Sequence, residues 1–138
     1  MARYYIAAPY SHIDIKVRMH RAEVADLLAA TLLLEGHVVY SPLSHSHMMS
    51  EMWGLPMNFE AYRKQDSAFL YESTVIYVIT LSGWQESHGV AEELALVAEF
   101  NANDNGGREI RYISEEEIIR RAWQAGISQQ GKWVFREY

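Results

Sequence analysis

The sequence predicts one three-layer α/β/α domain on a mostly parallel sheet of four or five strands. Three observations point there. Short apolar runs alternate with longer helix-favouring stretches along the 138 residues, and such alternation gives parallel strands joined by right-handed crossovers. Residues 74–81 are apolar and β-branched almost throughout, the pattern of a strand covered on both faces. Pro9 and Pro42 each close an earlier apolar run, as a residue without a backbone N–H does.

Residues 4–8 read as the first strand. Residues 14–35 favour helix, because Val24, Leu28 and Leu32 share one face and Gly36 supplies a terminator. Residues 37–41 read as the second strand. Residues 44–58 read as irregular up to the turn at Gly54, Leu55 and Pro56. Met48, Met49, Met52, Met57 and Trp53 there suit a flexible apolar lid, a subunit contact or core filling. A helix is predicted over 59–72, with Phe59, Tyr62, Phe69 and Leu70 as its apolar stripe. Residues 74–81 form the third strand and 82–86 a loop. A helix follows over 88–103, with Ser87 as its N-cap. A turn cluster at 103–107 precedes the fourth strand at 109–113. Ser114 and Glu117 form a capping box for a last helix to about residue 125. The tail, residues 126–138, carries Trp133, Phe135 and Tyr138 and suits a contact with a neighbouring subunit. The whole is one domain over 1–138, of the Rossmann or flavodoxin kind.

Composition narrows the function classes. Hydrophobic residues make up 49% and charged residues 22%, as in ordinary soluble domains. No apolar stretch is long enough for a transmembrane helix and no secretion signal is evident. The absence of cysteine excludes disulfides, thiolate metal sites and a cysteine nucleophile, and fits a reducing, cytoplasmic setting. The net charge of −6 argues against a nucleic-acid polymer as partner. No cofactor is called for.

In parallel sheets of this kind the ligand sits beyond the carboxyl ends of the strands. Three loops meet that end, around Pro9-Tyr10-Ser11-His12, Ser41-Pro42-Leu43-Ser44-His45 and Ser82-Gly83-Trp84-Gln85. Two acids near them sit oddly. In the helix after Trp84, Val90, Leu94 and Val97 form the apolar stripe. At about 100° per residue, Glu92 faces solvent while Glu93 flanks the stripe in the second turn. Gly89, one turn earlier, leaves room over Glu93. The exposed amides of this helix start suit an anion such as phosphate. In the preceding helix Asp66 lies inside the apolar stripe, where a carboxyl needs partners. Each acid taken singly also reads as an edge residue satisfied by a backbone amide or an arginine.

The segments Tyr5-Ile6-Ala7-Ala8-Pro9-Tyr10-Ser11, Ser41-Pro42-Leu43-Ser44-His45-Ser46-His47, Asp66 and Gly83-Trp84-Gln85-Glu86-Ser87-His88-Gly89-Val90-Ala91-Glu92-Glu93 occur in that order. This arrangement resembles the nucleoside 2-deoxyribosyltransferase-like superfamily, and within it the DUF1937-type branch. The most specific element is Ser-x-Gly-Val-x-x-Glu behind a Gly-Trp loop. The resemblance implies that Glu93 attacks the anomeric carbon of a nucleoside or nucleotide, that Asp66 positions the sugar or assists, and that Tyr5 stands beside the nucleophile. It implies a phosphate contact at Ser87, as in nucleoside monophosphate N-glycosidases, and a pocket completed by a second subunit of a homodimer or higher homo-oligomer.

Other residues carry open readings. Trp84 and Tyr10 suit stacking on a base or plugging a loop. Ser11 lies in the first loop. Arg18 and Arg21 reach toward a phosphate or into solvent. His45 and His47, if extended, share one face, but two histidines without a third ligand make a poor metal site. Hydrogen bonding, to substrate or within the structure, is the better role for His45 and His47. His88 suits phosphate binding or proton transfer. The expected activity is hydrolysis of the base–sugar bond of a (deoxy)nucleoside 5'-monophosphate. The alternatives are base exchange by a deoxyribosyltransferase and non-catalytic nucleotide sensing.

Overall fold

The computed structural model describes residues 1–56 and 58–127. Met57 and the aromatic tail with Trp133, Phe135 and Tyr138 lie outside the described residues, so the subunit contact expected of that tail falls there too.

Four strands, β1 (Arg3–Ala7), β2 (Val38–Tyr40), β3 (Val75–Ile79) and β4 (Glu109–Ile113), pair in parallel in the order β2-β1-β3-β4. Strand periodicity sends alternate side chains to opposite layers. Tyr4, Ile6, Val75, Tyr77 and Ile79 pack with α1 (Ile15–Leu34) and α5 (Glu115–Gln124). Tyr5, Ala7, Ile76 and Val78 pack toward α3 (Arg63–Glu72) and α4 (His88–Asp104). All five residues of β3 are buried, as expected of a strand covered on both faces. The three-layer α/β/α prediction therefore holds, with four parallel strands among the described residues.

The helix ends follow local chemistry. Asp14 caps α1 by accepting from Lys16 N at 2.9 Å, and Gly36 follows the helix with φ +88°. Ser114 caps α5 by accepting from Glu117 N at 3.2 Å. No described helix is long and apolar enough to cross a membrane.

Three expectations change. The segment read as irregular is mostly a helix, α2 (Pro42–Trp53). Ser41 caps it by accepting from Ser44 N, and Gly54 ends it with φ +68° and its N–H on Ser50 O. Pro42 thus stops β2 and starts α2, a helix position that needs no N–H. Helical rather than extended geometry also separates the two histidines. His47 is buried and His45 is exposed. The methionines do not fill the core: Met48, Met49, Met52 and Trp53 are all exposed. The helix predicted over 59–72 is broken into a 3-10 turn (Phe59–Ala61) and α3. Phe69 is exposed and stacks on Tyr40, with ring centroids 4.0 Å apart. On α4 the buried face comprises Val90, Glu93, Leu96 and Val97, with Leu94 only half-buried. Glu93 therefore lies within the buried stripe rather than at its edge.

Candidate functional site

A cavity of about 480 Å³ opens at the carboxyl ends of β1 and β3, walled by α2, α3 and the start of α4. Glu93 and Asp66 both reach it. Glu93 is about 5% exposed and Asp66 about 6%. Tyr5, fully buried on β1, pairs in register with Tyr40 and Ile76 and points to the α3/α4 layer. Its hydroxyl donates to Glu93 Oε2.

The electrostatics are those of a crowded acidic pocket. Burial pushes the Glu93 carboxyl up to about 8; the Tyr5 hydrogen bond opposes this and the Asp66 charge adds to it. Burial pushes Asp66 up to about 6, against the Tyr40 hydrogen bond and the charge of His45. Tyr40 donates to Asp66 Oδ1 at 3.5 Å and accepts from Gln65 Nε2 at 2.7 Å. Tyr5 is itself held well above the usual phenol range, by burial first and then by Glu93 and Asp66. At neutral pH the acid pair thus carries about one negative charge, and its two titration steps belong to the pair.

The second wall is the start of α4. Ser87 caps the helix, accepting from Val90 N at 3.2 Å, and Ser87, His88 and Gly89 all face the cavity. A Cβ on Gly89 would come no nearer than 3.9 Å to Phe59 and Ser87, so the glycine leaves open room rather than avoiding a clash. His88 is exposed at the rim, 3.8 Å from Glu92. Arg21 braces two loops by donating to Ser11 O at 3.1 Å and Ser82 O at 2.9 Å. Gly83 has φ +88°, a left-handed backbone that calls for glycine, and its Cβ position would lie 3.0 Å from Arg21 Nη2.

Of the residues singled out from sequence, Glu93, Asp66, Ser87, His88, Gly89, Tyr10, Ser11 and Arg21 line the cavity, with Tyr5 directly behind Glu93. Three do not line it. Trp84 turns toward Tyr112, with centroids 5.5 Å apart. Arg18 is engaged by Glu51 at 2.7 Å and His12 O at 2.6 Å. His45 lies exposed beside Tyr40 and touches Asp66 only through its charge. Glu92 is not simply solvated; it is half-exposed and pairs with Arg63 at 3.0 Å.

Pro42 and Leu43 of the second expected loop do line the cavity, though as the start of α2; the sequence reading assigned no site role to Ser46 of α2, nor to Asn58, Phe59 and Tyr62 in and around the 3-10 turn. The Ser41-Pro42 start signal would have found Ser46, and the four-residue spacing to Asp66 would have found Tyr62. Among the described residues no group of three or more His, Asp or Glu is placed to hold a metal.

A comparison with proteins of curated function finds no match. The sequence model of a family described as a domain of unknown function, DUF1937, matches residues 2–104. That span runs from β1 to the end of α4 and includes every residue of the cavity wall. The chain belongs to the DUF1937 family.

Proposed function

We propose that the protein is an N-glycosidase that hydrolyses the base–sugar bond of a (deoxy)nucleoside 5'-monophosphate, with Glu93 as nucleophile. The observation that carries this is a buried glutamate, hydrogen-bonded by Tyr5, sharing a cavity of about 480 Å³ with Asp66. That volume suits a small organic ligand. In the reaction the Glu93 carboxylate attacks the anomeric carbon. The bond to the base breaks, and its electron pair leaves with the base, which takes up a proton. Water then attacks the glycosyl ester and gives up one proton, which balances the one taken by the base; the sugar phosphate is freed and the Glu93 carboxylate restored.

Glu93 must be ionised to attack, and burial works against this. The Tyr5 hydrogen bond and the positive charge that grows on the sugar both favour the carboxylate. Asp66 supplies a second negative charge toward the same sugar. Among the lining residues, Arg21, Ser87 and the first amides of α4 suit the 5'-phosphate. The apolar and aromatic side chains of the lining, Tyr10, Leu43, Phe59 and Tyr62, suit the base.

Incubation with a panel of nucleoside 5'-monophosphates tests the reading by chromatography of free base. Release by the wild type and none by Glu93→Gln supports it; no free base from any nucleotide counts against it. The near-complete burial of Glu93 favours one second reading, because it limits water at the intermediate. In that reading a second base resolves the ester, and product forms only when such a base is added. The proposal also includes a cytoplasmic homodimer. The exposed Met48, Met52 and Trp53 along α2 support a subunit contact, and sedimentation of the purified protein tests it.

A further inference from the structure

His47 is the one histidine buried among the described residues, about 7% exposed, and the reaction above does not use it. It stands four residues after Leu43 on α2, so the two share a helix face, and Leu43 is part of the cavity wall. Both ring nitrogens have partners. Nε2 lies 3.0 Å from Met19 Sδ, and Nδ1 lies 2.6 Å from the Tyr10 hydroxyl. A thioether can only accept, so Nε2 carries the ring proton. In neutral imidazole Nδ1 is then the acceptor, and the Tyr10 hydroxyl donates to it. The alternative acceptor, Glu51 Oε1, is farther from that hydroxyl at 3.1 Å and is already engaged by Arg18 Nε at 2.7 Å. The two rings meet edge to face, with centroids 5.4 Å apart and planes at 83°. Tyr10 thus has its far end tied to α2 and its body in the cavity wall, in the same apolar cluster as Leu43.

We propose that His47 is a positioning residue: by accepting the Tyr10 hydroxyl proton at Nδ1, it fixes the Tyr10 ring in the cavity wall, where that ring sets the affinity for a planar base. The ligand class rests on the function proposed above; the proton assignment does not. His47 itself touches no ligand. A ring held in place loses less freedom when a base stacks on it, and the ordering cost spared is worth roughly two- to tenfold in binding.

Two measurements on the full chain test this. In the first, long-range 1H–15N correlation spectra of uniformly labelled protein at pH 7 read the His47 tautomer. The Nε2–H form is expected; the Nδ1–H form overturns the proposal without any need for a variant to fold. In the second, dissociation constants for adenosine and cytidine 5'-monophosphate are measured for Tyr10→Phe, His47→Leu and the double variant. Each single change keeps the ring and frees it, so it should weaken binding roughly two- to tenfold, the double change should be no worse than either, and kcat should move less than about twofold. Additive losses, or an unchanged Kd, overturn the proposal. Base release that requires Glu93, together with an unchanged Kd, sinks the His47 inference alone. Coupled losses of binding without base release sink the reaction alone. Failure of both nucleotides to bind overturns both.

Discussion

Glu93 and Glu51 make an instructive pair. Both lie on helices at the ligand end of the sheet, and each has a tyrosine hydroxyl beside its carboxyl, Tyr5 for Glu93 and Tyr10 for Glu51. Glu51 has Arg18 against it at 2.7 Å, which holds its carboxyl below the usual range. Among the described residues Glu93 forms no ion pair; burial pushes it up to about 8 with Asp66 adding to the effect. The difference is the nearby cation. An arginine fixes a carboxylate in its charged form and ties it into structure. A buried carboxyl supported only by a phenol keeps its proton more readily, and positive charge growing beside it during reaction changes its state most.

The largest effect expected from breaking this contrast is on turnover. Glu93→Gln should lower kcat by roughly a thousandfold or more while the circular dichroism spectrum stays unchanged. Tyr5→Phe should come next, with kcat down roughly tenfold to a hundredfold. Removing its hydroxyl takes away the bond that favours the Glu93 carboxylate, so the ascending limb of the pH–rate curve should move to higher pH. In the wild type, kcat/KM should climb by up to about tenfold per pH unit below about 8, as Glu93 loses its proton. A curve that falls through the same range would instead make Glu93 a general acid.

Stability should carry the same signature with a smaller amplitude. The Glu93 carboxyl ionises near 4.5 when unfolded and near 8 when folded. Between those values the folded state binds more protons, so stability falls as pH rises. Denaturant melts should show the wild type losing roughly 1–3 kcal/mol between about pH 5 and pH 9 that Glu93→Gln does not lose. The smallest effect belongs to the neighbouring acid. Glu92→Gln breaks a half-exposed pair with Arg63 and should shift stability by less than about 1 kcal/mol and leave turnover alone.

Much of this was legible in the residues. The apolar run ending in Leu81 marked the central strand, and Ser87 with its helical spacing placed Glu93 near the core. The buried position of Asp66 followed from its place in an apolar stripe. What was hidden was either a local signal with two readings or a contact that no local pattern encodes. The proline at position 42 signals both a strand stop and a helix start, and only the Ser41 cap and the Gly54 terminator decide between them. Without α2 as a helix, His47 could not be separated from His45, and Ser46 could not be placed beside Leu43 in the cavity wall. Trp84 suited stacking on a base or plugging its loop, and only its packing against Tyr112 favours the second. Arg18 and Arg21 are equivalent in sequence; the glutamate opposite Arg18 and the loop carbonyls around Arg21 tell them apart.

The most direct measurement is release of free base from nucleoside 5'-monophosphates by wild type, Glu93→Gln and Glu92→Gln, followed side by side at pH 8. The account predicts release by the wild type, equal release by Glu92→Gln and none by Glu93→Gln. Release by Glu93→Gln at the wild-type rate would contradict it.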